Sequence, residues 1–357
     1  MRGSTAHVGR ARLGALTGLV ILALGACSED RPQSVLRPAG EYARKADGLW
    51  DLTFGVAVVI FLLVEGALVF TLFRYRARPG REAVQFHGNA KLEVILTLVP
   101  ALILAGIAVP TIRTVFDLAR KPEGALPITI KAHQFWWEYQ YPGAGVVTAN
   151  ELHIPTGRPV YLTMEGELTD RVSGGNEVNH SFWIPRLGGT QDVVPGRITH
   201  LTLEADEPGT YLGQCKEFCG LGHANMRLRA VAQTPGDFDA WLSDQQQPSD
   251  PPSSGLAAEG ARLFAEGSQD GQFANGPACA SCHAVDSTAL EAANIGPNLT
   301  HFAGRSTFAG AIFKRTDENL AAWLENPAGV KPGALMPDVG LTQEQIDALV
   351  AYLQTLE

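Results

Sequence analysis

Cys215-Lys-Glu-Phe-Cys219-Gly-Leu-Gly-His223-Ala-Asn-Met226 packs two thiols, an imidazole and a thioether into twelve residues. Soft sulfur together with imidazole is a ligand set for copper. Gly220 and Gly222 give a loop between strands the backbone freedom to wrap its donors around a metal. One thiolate, two histidines and a distant Met would make a single-copper site, whereas the extra thiolate here allows two coppers to be bridged. The second imidazole must come from elsewhere. Of the 9 His, His180 in Glu177-Val-Asn-His-Ser-Phe-Trp-Ile-Pro185 stands out, because it opens a strand-like run bounded by Gly174-Gly175 and Pro185. A Cys215–Cys219 disulfide, a zinc site and a purely structural His180 also fit the spacing.

Around this loop the pattern is that of short alternating runs. Residues 128–141, 159–164, 198–203 and 226–231 read as strands, and in the third Thr199, Leu201 and Leu203 face away from Ile198, His200 and Thr202. Many short strands predict a sandwich or barrel, here over residues 125–244. Residues 245–255, QQQPSDPPSSG, break all periodicity and read as a linker, which as a flexible coil would span about 18 Å. Beyond it, residues 257–266, 319–325 and 342–356 read as helices, the last opening with Thr342 as N-cap and Gln345 three residues on.

That last region holds a second motif. Cys279-Ala-Ser-Cys282-His283 is the attachment sequence of a c-type haem, two thiols for thioether bonds and an adjacent His for iron. Met336, in Lys331-Pro-Gly-Ala-Leu-Met-Pro337, is the only Met beyond the linker and the candidate distal ligand, with His301 as its rival.

The rest of the chain speaks of a membrane. The 357 residues carry 28 Lys plus Arg against 37 Asp plus Glu, a net charge of −9 that offers no reason to bind nucleic acid. Much of that charge belongs to the last module, which has 12 acidic and 5 basic residues from Gly255 onward. With 45% hydrophobic and only 18% charged residues, the chain departs from ordinary soluble domains. Residues 1–12 carry Arg2, Arg10 and Arg12 and no acid, and residues 13–24 form an apolar run too short to cross a bilayer. A lipoprotein-type signal peptide is therefore expected over 1–26, with Cys27 acylated and 27–48 an external segment. Residues 49–73 and 92–112 are long enough to span. Arg74, Arg76, Arg78, Arg81 and Lys91 against the single acid Glu82 place the loop 74–91 in the cytoplasm and everything after it outside. Glu65, deep in the first span, and Glu93, at the start of the second, are carboxylates that call for a reason.

The whole pattern resembles cytochrome c oxidase subunit II, in the caa3 form that carries its own cytochrome c. The resemblance covers residues 40–245, and Gly296-Pro-Asn-Leu299 and Trp323-Leu-Glu-Asn-Pro327 add a likeness to class I cytochromes c. It implies a multidomain membrane protein: a two-helix transmembrane hairpin, an all-β cupredoxin-like Greek-key sandwich and an all-α cytochrome c domain over 256–357. It implies a dinuclear copper centre, CuA, in which Cys215 and Cys219 bridge, His180 and His223 each ligate one copper, and Met226 and the Glu217 carbonyl complete the shell. The Glu217 carboxylate corresponds to a ligand of Mg²⁺ at the contact with subunit I. In Asn89-x3-Glu93-x3-Thr97-x2-Pro100, Glu93 matches a carboxylate at the mouth of a proton channel. His133-Gln-Phe-Trp-Trp-Glu-Tyr139 resembles the family's aromatic segment, with Phe135, Trp136 and Trp137 as electron-transfer candidates. Phe135 stands where the family usually has Trp, and Glu177 where it commonly has Asp, so the usual docking route for soluble cytochrome c is open to question. By this likeness electrons pass from cytochrome c or a membrane donor through covalent haem c to CuA and on to subunit I, where O₂ is reduced with proton translocation. The setting is the bacterial inner membrane with both metal domains on the external side, among the other oxidase subunits. A CuA-containing nitric oxide reductase subunit and a membrane-anchored copper chaperone are the alternatives.

Overall fold

The computed structural model describes residues 31–80, 82, 87–166, 178–267, 278–285 and 295–357. The signal segment, Cys27 and Glu177 lie outside the described residues.

Two long helices, Glu41–Arg74 and Ala90–Ala119, contain the two expected spans and run past them on the external side. Their Leu, Val, Ile and Phe side chains are exposed, as suits helices whose outer surface meets lipid. Asn89 caps the second helix, its side chain accepting from Lys91 N at 3.1 Å and Leu92 N at 3.2 Å. Glu93 stands in that helix's first turn, where a carboxylate complements the positive end of the helix dipole. At the other end Lys45 Nζ joins Glu41 Oε1 at 2.8 Å and Asp117 Oδ2 at 2.7 Å, so one ammonium ties the two helices together.

Before its first helix begins, the chain is already stitched to the external domain. Ala39 N donates to Arg186 O at 2.7 Å, and Asp206 N donates to Ala39 O at 2.9 Å. The Arg44 guanidinium grips the Asp206 carboxylate. Gly40 lies so close to Glu204 O that no side chain would fit.

The external domain is a sandwich of two five-stranded sheets. One has the order β3-β2-β1-β5-β8, built from Val146–Ala149, Trp136–Tyr141, Leu126–His133, Val160–Gly166 and Ile198–Leu203. The other has the order β4-β10-β9-β6-β7, from Glu151–Pro155, Arg227–Gln233, Gly209–Cys215, His180–Trp183 and Thr190–Val193. Pairing is antiparallel except for β1 with β5 and β4 with β10. Inward-facing Ile128, Ile130, Trp137, Tyr139, Leu152, Leu162, Phe182 and Leu228 fill the space between the sheets. Each is worth about 1.5–3 kcal/mol of burial or more.

The sequence reading of residues 128–141 as one strand is corrected. The run folds back at Gln134–Phe135 into a hairpin in which Ile130 faces Tyr139 and His133 faces Trp136. No Gly, Pro or Asn marks this turn, so unbroken hydrophobic alternation hid it. The short strands β3, β4, β7 and β9 and the helix Pro235–Asp244 also escaped the sequence reading. Between β3 and β4 the break is a single residue, Asn150, whose φ of 64° only Asn, Asp or Gly adopts readily.

The last module packs helices Gly255–Glu266, Asp317–Glu325 and Gln343–Leu353 around Leu263, Phe264, Phe302, Leu320, Leu324 and Leu349. A two-residue hairpin, Thr307–Phe308 with Phe313–Lys314, is its β structure among the described residues. Gly260 lets the first and last of these helices cross closely, since a Cβ there would meet the Ala348 carbonyl carbon at 2.6 Å. Thr342 and Gln345 form the expected capping box.

Candidate metal centres

β9 delivers Cys215 to the end of its sheet, the loop 216–226 turns back, and β10 carries the chain away. His180 begins β6, hydrogen-bonded beside β9 through the Phe182–Cys215 pair. These elements gather the soft donors. Cys215 Sγ lies 3.9 Å from Cys219 Sγ and 3.9 Å from His180 Nδ1, and 3.2 Å from Glu217 O. Cys219 Sγ lies 3.7 Å from His223 Nδ1 and 3.8 Å from Met226 Sδ. Both cysteines are buried and free, so no disulfide joins them. The two sulfurs share a proton: Cys215 is drawn far down toward thiolate by its bond with Cys219 and, against the cost of burial, by His180. Cys219 is pushed up by that same bond and by burial. A metal pair would displace this proton, and two sulfurs flanked by two imidazoles, a thioether and one carbonyl suit bridged copper. The Glu217 carboxylate stands exposed on the outer side of the loop, flanked by the exposed apolar side chains of Phe218 and Leu221.

Of the aromatic segment, Trp137 belongs to the sandwich core, edge-on to Phe182 at 5.2 Å and fully buried. Phe135 and Trp136 are different. Both are buried, yet both line a second cavity, and the Phe135 ring rests against Gly220 and Gly222 of the donor loop. A Cβ at Gly222 would run into that ring. Gly222→Ala is therefore expected to destabilise the external domain by about 1–3 kcal/mol. A fall in its thermal unfolding temperature would show this; an unchanged temperature would mean the ring has room to move.

The second cavity, of about 410 Å³, has the size of a cofactor site. Cys279, Cys282, His283 and Met336 all line it, with Phe264, Phe302, Leu320, Trp323 and Leu349 as apolar walls. His283 Nδ1 is held by Pro297 O at 2.8 Å, which fixes the ring and leaves Nε2 for iron. Burial lowers the His283 pKa, and a neutral imidazole is what a ligand must be. Gly296 is backed against this ring, a Cβ there meeting His283 Cε1 at 2.5 Å. The donors present fit a haem that Cys279 and Cys282 would hold covalently and whose iron His283 and Met336 would ligate. The rival His301 lies outside the cavity lining, its Nδ1 held by Glu357 O and its Nε2 by Gln247 O at 2.9 Å. Met336→Ala is accordingly expected to lower the haem potential by a measurable part of the roughly 0.8 V that axial ligands command, with the haem still attached through its thioethers. A redox titration that finds the potential unchanged would reinstate His301.

Residues that the sequence reading passed over complete the cavity: Gln134 and Asn150 from the sandwich, Arg305 and Lys331 from the last module. Nothing in their local sequence singles them out, since it is the meeting of two modules that brings them to one cavity.

A cupredoxin-like sandwich with a soft-donor loop, set above two apolar helices and joined to a cytochrome fold, defines a membrane-anchored redox subunit. Residues 36–114 match the transmembrane domain of cytochrome c oxidase subunit II, residues 126–233 its periplasmic domain, and residues 257–357 cytochrome c. Cytochrome c oxidase subunit 2 of Alkalihalophilus pseudofirmus is 34% identical over 94% of this chain and 94% of its own length. That of Bacillus sp. strain PS3 is 33% identical over 97% of each. The periplasmic domain of subunit II of Bradyrhizobium japonicum cytochrome oxidase is 25% identical, covering 36% of this chain and 96% of that one, with a TM-score of 0.31. The chain belongs to the cytochrome c oxidase subunit II family.

Proposed function

We propose that this chain feeds electrons to a haem–copper oxidase, from an external donor through haem c and a dinuclear copper centre to subunit I. The observation that carries this reading is Phe135, whose ring lies on the donor loop while its side chain lines the haem cavity. Cys279 and Cys282 would hold the haem, and His283 and Met336 would ligate its iron. Cys215 and Cys219 would bridge the coppers, with His180, His223, Met226 and the Glu217 carbonyl as the remaining ligands. When bound, the two groups supply one-electron redox chemistry. The residues do the rest: Pro297 O orients His283, the buried walls exclude water, and Phe135 keeps the two centres side by side. Exposed Glu217, Phe218 and Leu221 make a face on which subunit I can sit, with Glu217 available to Mg²⁺. Glu93 would stand at the cytoplasmic mouth of a proton path in that partner. Cys27 would carry the lipid, and the bacterial inner membrane, with both metal domains outside, is the setting this topology supports.

Phe135 and Trp136 are covered by the last module, so a soluble cytochrome cannot reach them as it would an exposed aromatic. The haem module is then the place where donor electrons come in. The test is purification of the assembled complex with its native partners. Two coppers and one haem c per chain, with O₂ consumption, are expected. Zinc in the cysteine site would overturn the copper assignment, and turnover of NO in place of O₂ would assign the chain to a nitric oxide reductase.

A further inference from the structure

The haem module does not merely hang from its linker. Glu151, at the start of β4, is buried, and its carboxylate reaches across to the module. Oε1 accepts from Thr307 N at 2.9 Å, from Thr307 Oγ1 at 2.8 Å, from Ser306 N at 3.1 Å and from the Ser306 hydroxyl; Oε2 lies 3.2 Å from Ser306 N. On the other side of the contact Lys331 is equally buried. Its Nζ donates to Phe135 O in the sandwich at 3.2 Å and to Ala309 O in its own module at 2.8 Å. A backbone bond, Arg227 N to Gly310 O at 3.0 Å, lies between them. Two glycines permit the approach. Gly310, with φ of 76°, has Asn225 O and Lys331 Nζ each 2.8 Å from where a Cβ would be, and Gly333, with φ of 87°, has Gly222 N at 2.5 Å.

A carboxylate saturated by four donors and an ammonium on two carbonyls are charge-assisted contacts, each expensive to leave half-made once buried. They are also directional, so they fix one orientation where an apolar patch would tolerate several. Both anchors adjoin segments that line the haem cavity: Glu151 follows Asn150, and Lys331 itself lines the wall that leads to Met336. The segment that Lys331 touches, Gln134–Trp136, closes the cavity from the sandwich side.

We propose that Glu151 and Lys331 are positioning residues that lock the haem module onto the donor loop in one fixed pose, so that the linker 245–255 is a connection and not the means of docking. This rests on the electron route given above for its purpose, though not for its test. In the assembled oxidase, a protease site placed within residues 248–253 is cut and the complex is passed over a sizing column. The cut native chain is expected to keep its haem module. The double variant Glu151→Gln with Lys331→Met is expected to lose it at least about tenfold more readily. Should Lys331→Met fail to fold, Ser306→Ala with Thr307→Val removes two hydroxyl donors from the other side and should loosen retention in the same direction. Intact haem and copper spectra in each uncut variant show that the centres themselves are undisturbed.

Loss of the module from the cut native chain would overturn the lock, as would equal retention by native and variant chains. Retention is read on polypeptide, so it is separable from electron flow. A retained module whose reduced haem fails to reduce the coppers would support the lock and sink the route; a released module whose uncut parent transfers normally would do the reverse.

Discussion

Replacing Cys219 by Ala is expected to leave the chain without its paired-copper absorption and electron-spin signature, and to lower turnover of the assembled oxidase by more than about 100-fold. The scale follows from position. Removing even an outer-shell partner costs a metal site about 10–100-fold in affinity. Cys219, like Cys215, is within 4 Å of three other donors, lying 3.9 Å from Cys215 Sγ, 3.7 Å from His223 Nδ1 and 3.8 Å from Met226 Sδ. With Cys219 gone, His223 and Met226 have no bridging sulfur to share, and Cys215 with His180 can hold at most one metal. Copper content and spectra of the purified variant are the measurement, with the haem spectrum as internal control. Two coppers and a native spectrum in the variant would show that the metal lies elsewhere.

Removing the haem is expected to be as severe for the natural donor. In Cys279→Ala with Cys282→Ala the copper spectrum should persist, while donor oxidation falls by about two orders of magnitude or more, because the polypeptide alone has no redox chemistry to offer. The structural reason is coverage. Phe135 and Trp136 are 6% and 7% exposed beneath the haem module, so the face through which a soluble donor would reach the copper loop is shut. Stopped-flow oxidation of the donor, compared with direct photoreduction of the coppers, decides the matter. Full-rate donor oxidation in the variant would mean that the copper domain takes electrons through another face.

How much of this was readable in the chain depends on the range of the interactions involved. The donor loop was legible because four of its donors lie within twelve residues and their spacing is itself the chemistry. The helix opening at Thr342 was legible because a capping box is a contact across three residues. Strand Ile198–Leu203 declared itself by alternation. Glu151 and Lys331 were not legible, since the partners that make sense of them are about 155 and 196 positions away. By composition alone both read as surface charges. For Phe135 the departure from the family's Trp was visible in the sequence, whereas the module that covers it was not. The hairpin at Gln134–Phe135 was hidden by the very regularity that revealed the neighbouring strands.

The junction at Ala39 and Gly40 bears on mechanics. A domain held above a membrane by one flexible stem would swing, and the height of its outer loop would vary with every collision. Here the stem is riveted to the sandwich by the backbone bonds of Ala39 and the grip of Arg44 on Asp206, while Lys45 clamps the two helices to each other a turn further down. The first helix and the sandwich therefore behave as one lever, with no joint at the water's edge. Any tilt of the helices within the bilayer is carried undiminished to the far end, and whatever grips the helices also aims the loop. A glycine-rich insertion between Gly40 and Glu41, with Arg44→Ala to free the helix from Asp206, would put the missing joint back, and the alignment of the whole external assembly would drift even with every donor still in place.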